Sequence, residues 1–201
     1  LQTGDKILVH AAGGAVGTAL LELGRLMGLE VYGTASKSKH DLVRSFGATP
    51  IDYRNEDFVN RTLQLSGGGV KAVFDTIGGK NFSRSYRCLA RGGKLVGFGA
   101  LQYTTGEESV RSLTWGFIKL LALWKCLPDG KLTGFYNIQK RREKFPDEFN
   151  IDVQKLMTLL SEKKLQPAVA EIVPLAQAAA VHRRIDNAEI AGKVVLRCND
   201  E

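Results

Sequence analysis

The stretch from Lys6 to Ser36 limits what this chain can fold into more than any other segment. Ile7, Leu8 and Val9 read as a buried strand, and a turn of small residues follows with Ala12, Gly14 and Gly17. Val16, Ala19, Leu20, Leu23, Leu26 and Met27 then recur at helical spacing, Gly28 stops the helix, and Val31 to Ala35 form a second strand. Strand, glycine turn and helix in this order suit a dinucleotide diphosphate. Small residues let the backbone approach the phosphates, and the helix directs its free N–H groups at them. A side chain at Gly14 would hold the diphosphate off, one at Gly17 would crowd helix against strand, and Ala15 and Val16 offer backbone N–H groups.

The cofactor is selected about 20 positions after the turn, where an Asp or Glu would bond the ribose hydroxyls of NAD. Here stand Thr34, Ala35, Ser36, Lys37, Ser38 and Lys39, and no carboxylate occurs before Asp41, which falls inside the next helix. Hydroxyls and lysines suit a 2′-phosphate, so the expected cofactor is NADP, as NADPH, rather than NAD.

Strand signals recur at Pro50 to Tyr53, Lys71 to Asp75, Lys94 to Phe98 and Thr133 to Ile138, with helical patterns between them. Together they predict an α/β fold, a doubly wound parallel six-stranded sheet of the Rossmann kind. Gly67-Gly68-Gly69 closes a helix from Asp57 to Leu65, and Gly92-Gly93 closes the one after Gly78-Gly79. The charged piece from Gln139 to Asn150 reads as a surface connection, and Asp152 as the cap of a helix carrying Val153, Leu156, Met157, Leu159 and Leu160. An extended piece (Glu171 to Val173), a helix near Pro174 to Asn187 and a last strand, Lys193 to Arg197, break the earlier alternation. The expected division is 1–148 for the dinucleotide domain and 149–201 for a separate C-terminal segment.

With 201 residues, 44% hydrophobic and 24% charged, the chain has the composition of a folded globular protein. Three scattered cysteines argue against a disulfide framework and for a reducing, cytoplasmic setting. No apolar run reaches the roughly 18 residues of a membrane span. The nearest, Leu113 to Leu127, is interrupted by Lys119 and Lys125 and reads as a helix for a core or subunit interface. The opening residues lack signal-peptide character. A net charge of +7, densest at Lys140, Arg141, Arg142 and Lys144, raises nucleic acid as a partner, but a solvated basic loop beside an anion-binding fold accounts for it better.

Several ordered segments resemble the medium-chain dehydrogenase/reductase superfamily, in its zinc-independent quinone oxidoreductase-like branch. They are VHAAGGAVG (9–17), GTASKSKHDLV (33–43), GATPIDYRNEDF (47–58), VFDTIGG (73–79), GGKLVGFG (92–99) and GKVVL (192–196). One glycine turn would be weak support; six segments in the family's order are strong. In that family a GroES-like substrate domain precedes the Leu-x-x-Gly-Asp lead-in that stands here as Leu1 to Asp5. The resemblance therefore implies a chain that is the cofactor half, with a C-terminal segment belonging to the absent catalytic domain.

The resemblance also implies roles. Lys39 matches the family's 2′-phosphate lysine, with Ser36 sharing that group and Lys37 competing for it, and Tyr53 matches a tyrosine bordering the adenosine phosphate. Thr76, Gly78, Phe98 and Gly99 fall in loops the family places around the ribose and nicotinamide; Phe135, Tyr136 and Asn137 fall in an edge segment that pairs strands across a homodimer. An arginine that some relatives place before the last strand is missing, and Lys193 stands nearest to it. The implied activity is hydride transfer from NADPH to a quinone or α,β-unsaturated carbonyl, a small electrophile, with catalytic residues largely outside this chain. His10, His40 and His182 are isolated, there is no CxxC, and no metal site is expected. The alternative is a nucleotide-binding or scaffolding protein, possible also as an RNA binder, that keeps the fold without catalysis.

Overall fold

Strands that are apolar on both faces must be covered on both faces, and Leu8 and its neighbours Ile7 and Val9 point into two different cores. The computed structural model describes residues 1–101, 106 and 108–198. Six strands, β1 (Lys6–Val9), β2 (Glu30–Ala35), β3 (Thr49–Asp52), β4 (Val70–Asp75), β5 (Leu89–Gly97) and β6 (Leu132–Phe135), form one sheet in the order β3-β2-β1-β4-β5-β6. Every pairing is parallel, with Ile7 opposite both Val31 and Ala72.

Helices α1 (Ala15–Leu26) and α2 (His40–Ser45) cover one face, where Ile7, Val9, Leu21, Val31 and Val43 pack together. On the other, α3 (Phe58–Ser66), α4 (Lys80–Arg87) and α5 (Val110–Leu121) bury Leu8, Tyr32, Phe58, Val73, Phe82, Leu95 and Leu120. The chain winds outward from β1 to β3, then crosses back to β4 on β1's other side. That reversal opens a crevice at the carboxyl ends of β1 and β4.

Four local expectations are corrected. Gln139 to Asn150 is helical, in α6 (Ile138–Lys144) and the start of α7 (Pro146–Ser161), because Asn137 caps α6 by accepting from Lys140 N at 3.0 Å and Pro146 opens α7 at a position where its missing N–H costs nothing. Asp152 consequently lies inside α7 and does not cap it. The sixth strand ends at Phe135, since Ile138 already belongs to α6. Gly92-Gly93 lies within β5, where a register shift between Val70/Leu89 and Ala72/Lys94 absorbs the extra residues; α4 has already ended at Arg87. A Cβ at Gly93 would meet Val70 O at 2.8 Å, so that bulge requires glycine.

Helix α7 runs unbroken through positions 148 and 149. Beyond it, β7 (Val169–Pro174), a single 3₁₀ turn (Leu175–Gln177), α8 (Ala178–Asp186) and β8 (Lys193–Arg197) make a small parallel β-α-β unit around Val173, Val181 and Ile190. This unit is tied to the large sheet at the glycine turn: Gly192 N donates to Gly13 O at 2.8 Å. Its other face is uncovered, with Ile172 64% and Val195 40% exposed. No helix among the described residues is long and apolar enough to cross a membrane.

Candidate dinucleotide site

The turn after β1 is tighter than its glycines alone suggest. Ala11 adopts φ +52°, its carbonyl accepts from Gly14 N at 3.0 Å, and a Cβ at Gly17 would sit 2.2 Å from that same oxygen. Gly17 is therefore obligatory, as helix α1 approaches the turn to backbone contact. A Cβ at Gly33, on β2, would likewise lie 2.6 Å from Ala12 Cβ. Gly14 is the N-cap of α1 and gives no side-chain cap, so the N–H groups of Ala15, Val16 and Gly17 have no acceptor within the helix. Ala15 and Val16 are exposed at that end. These donors, with the positive end of the helix dipole, make an anion seat.

Lys39 lies across this turn. A Cβ at Gly13 would come within 2.8 Å of Lys39 Cδ, so hydrogen at Gly13 is what admits the lysine's aliphatic stem. Burial, and next the Arg54 guanidinium, hold the Lys39 ammonium below its ordinary value. Two like charges are thus gathered at the tips of β2 and β3, and among the described residues no carboxylate forms an ion pair with Lys37, Lys39 or Arg54. Ser36 is buried with Oγ 3.2 Å from Ser38 Oγ, and Tyr53 is exposed beside Arg54, whose guanidinium carbon lies 5.8 Å from the ring centroid. Asp52 ends β3 at the same edge, but its carboxylate is turned into its own loop, accepting from Asn55 Nδ2 at 2.8 Å and Arg54 N at 3.1 Å; these bonds hold it below the usual carboxylate range.

Across the crevice the loops after β4 and β5 are pressed together. A Cβ at Gly99 would lie 2.4 Å from Thr76 Oγ1, and one at Gly78, where φ is +88°, would lie 3.0 Å from Ala100 Cα. Phe98 N donates to Asp75 O and Leu101 N to Thr76 O, both at 2.9 Å. Asp75 organises this side: fully buried, it accepts from Ile77 N (2.8 Å) and Gly78 N (3.1 Å) on one oxygen and from Ser85 Oγ (2.6 Å) and Asn81 Nδ2 (3.0 Å) on the other. Phe135 packs edge-on against Phe117, ring centroids 5.2 Å apart, and the side-chain oxygen of Asn137 is engaged in capping α6. Lys193 lines a cleft of about 250 Å³ between α1 and α7, beside buried Glu22.

The turn residues, Ser36, Lys39 and Tyr53 therefore share one rim of the crevice, and Thr76, Gly78, Phe98 and Gly99 the other. Asn137 has a structural task of its own. Sequence reasoning missed Gly13, Arg54 and Asp75. The run VFDTIGG already contained the carboxylate next to the loop it organises, and Arg54 was visible beside Tyr53.

The sheet order, the glycine turn at its reversal and the cationic tip define the class: a Rossmann dinucleotide-binding domain. The family described as zinc-binding dehydrogenase matches residues 46–196. The chain belongs to that family, within the quinone oxidoreductase-like branch of the medium-chain dehydrogenase/reductase superfamily. It is 30% identical over 202 aligned residues to the synaptic vesicle membrane protein VAT-1 homolog of Mus musculus, covering 98% of this chain and 49% of that protein. It also resembles the Escherichia coli quinone oxidoreductase solved with NADPH (TM-score 0.79, 25% identity, 98% of this chain and 58% of that one). In fold it further matches the CurK enoyl reductase, with TM-score 0.79, 24% identity, and 98% and 55% coverage. The chain spans about half the length of the curated relatives it matches.

The family's name implies zinc, and the described residues do not fit one. They contain no group of three His, Cys, Asp or Glu side chains able to hold a metal.

Proposed function

We propose that this chain is the NADPH-binding part of an oxidoreductase that transfers hydride to a quinone or an α,β-unsaturated carbonyl without zinc. The observation that carries the reading is Lys39 lying over Gly13 with Arg54 and Ser36 beside it, which brings a phosphate-seeking cationic tip up to the diphosphate turn. The Escherichia coli relative solved with NADPH supports it.

In this reading Gly14, Ala15, Val16 and Gly17 receive the diphosphate on backbone N–H groups, and Ser36 and Lys39, with Arg54, receive the 2′-phosphate. Tyr53 borders the adenosine. Thr76, Gly78, Phe98 and Gly99 shape the ribose and nicotinamide end. Phe135 lies beyond them at the sheet edge, and Asn137 contributes through α6. Bound NADPH would supply a hydride, and the protein's part is to orient it. The acceptor is a small electrophile whose remaining contacts come from a domain outside this chain. Residues 149–201 belong with that domain, which would cover the exposed Ile172 and Val195. The full protein is a cytoplasmic homodimer joined through the edge at β6, where Leu132, Tyr136 and Ile138 are exposed.

Calorimetric titration of the chain with NADPH and NADH tests the reading: NADPH binds more tightly, and equal affinities or no binding end it. A second reading, a nucleotide-binding or scaffolding protein without turnover, is favoured by the VAT-1 relatives, which are named for a vesicle membrane rather than a reaction. NADPH oxidation by the full-length protein with a quinone separates the two.

A further inference from the structure

His10, at the end of β1, is fully buried directly under the crevice and makes no contact with solvent that would explain a polar ring there. Its two nitrogens are both engaged: Nδ1 lies 3.0 Å from Thr34 Oγ1 and Nε2 lies 2.9 Å from Ser85 Oγ. The direction of each bond follows by elimination. Ser85 has one proton, and it goes to the Asp75 carboxylate at 2.6 Å, which can only accept. Ser85 Oγ must therefore accept from His10, so Nε2 carries the ring proton. In the neutral ring Nδ1 is then bare and accepts from the Thr34 hydroxyl. The Thr34 oxygen in turn accepts from Ala11 N at 3.3 Å, the first amide of the diphosphate turn.

The chain of donors runs one way: Ala11 N–H to Thr34, Thr34 to His10, His10 to Ser85, Ser85 to Asp75. Asp75's second oxygen holds the amides of Ile77 and Gly78 on the opposite rim. A single buried wire thus joins the turn that receives the diphosphate to the loop that shapes the nicotinamide end. Buried networks of this kind set a single geometry, because any break leaves an unpaired polar group in the core. We propose that this chain couples the two rims of the crevice, with His10 as a positioning residue for the cofactor. The proposal rests on reading the crevice as a dinucleotide site.

Two measurements on the 201-residue chain test it. Long-range ¹H–¹⁵N spectra of the His10 ring are expected to show a protonated Nε2 and a bare Nδ1; a proton on Nδ1 overturns the directed chain, whether or not any cofactor binds. Adenosine 2′,5′-bisphosphate, a probe of the adenosine end alone, is expected to shift the backbone amides of Ile77 and Gly78 as well as those of Ala12 to Gly14. In His10→Phe the turn amides still shift while those of Ile77 and Gly78 stay put. Thr34→Val, which cuts the wire on the turn side with a side chain of the same shape, gives the same loss and serves if His10→Phe does not fold. Ile77 and Gly78 amides that shift equally in the variants, or that never shift in the wild type with the probe bound, overturn the coupling. Failure of both the probe and NADPH to bind overturns the dinucleotide reading instead.

Discussion

In the proposed reading, cofactor choice turns on Lys39. Its stem fits only because Gly13 has no side chain, and its ammonium shares the tip with Arg54 and has no carboxylate ion-pair partner among the described residues. A 2′-phosphate would gain a charge-assisted bond there, worth about 1.5–3 kcal/mol. Lys39→Ala is expected to weaken NADPH by about 10- to 150-fold while leaving NADH nearly unchanged, as read by calorimetry. Gly17 is expected to tolerate no change: Gly17→Ala drives a methyl to 2.2 Å from Ala11 O, and loss of both thermal stability and NADPH binding follows. His10 adds a dependence on pH. Burial lowers its pKa, the Asp75 carboxylate opposing and Arg84 assisting, so the unfolded chain takes up a proton near pH 6.5 that the folded chain refuses. Stability present above that pH is lost as pH falls below it. Melting temperatures compared at about pH 7.5 and pH 5.5 should fall further in the wild type than in His10→Phe.

Among the elements, α6 shows how a short polar piece becomes a helix. Its seven residues include Lys140, Arg141, Arg142 and Lys144, a composition that reads as solvated loop, yet Asn137 satisfies the Lys140 amide and three basic side chains stand in the last turn, where the dipole welcomes them. Asn137→Ala should cost about 0.5–2 kcal/mol by urea denaturation, with Asn137→Asp retaining most of it. The long apolar segment at α5 behaves differently. Leu120 is buried under the sheet and Phe117 packs on Phe82 and Phe135, while Trp115, Ile118 and Leu121 face outward. A helix for a core or a subunit interface was legible in the apolar run, but which side it buries was not. The exposed side follows from there being one sheet to cover and a helix with apolar residues on more than one face.

Among the described residues the large sheet and the small one meet at the glycine turn. Gly192 N bonds Gly13 O, and Gly192 itself, at φ +86°, has no room for a side chain because a Cβ would lie 2.3 Å from Ala168 O. The small C-terminal unit therefore braces the glycine turn from outside. Gly192→Ala should lower NADPH affinity several-fold and speed exchange of the residue 192 amide, with the circular dichroism of the large sheet retained.

The amino-acid sequence determined the six-stranded alternation, the glycine turn and the carboxylate-free tip of β2, because these are local: apolar runs, turn chemistry and the absence of an acid are written in consecutive residues. The tertiary structure alone decided that Lys39 crosses Gly13, that Arg54 joins it, and that His10 links Thr34 to Ser85 and Asp75. Those partners are 24 and 75 positions from His10 in two of the contacts, and only the parallel crossovers bring them to one edge. The same holds for Gly192 against Gly13. Backbone hydrogen bonds between distant segments leave no periodicity in the letters, since any residue type with an N–H can make them.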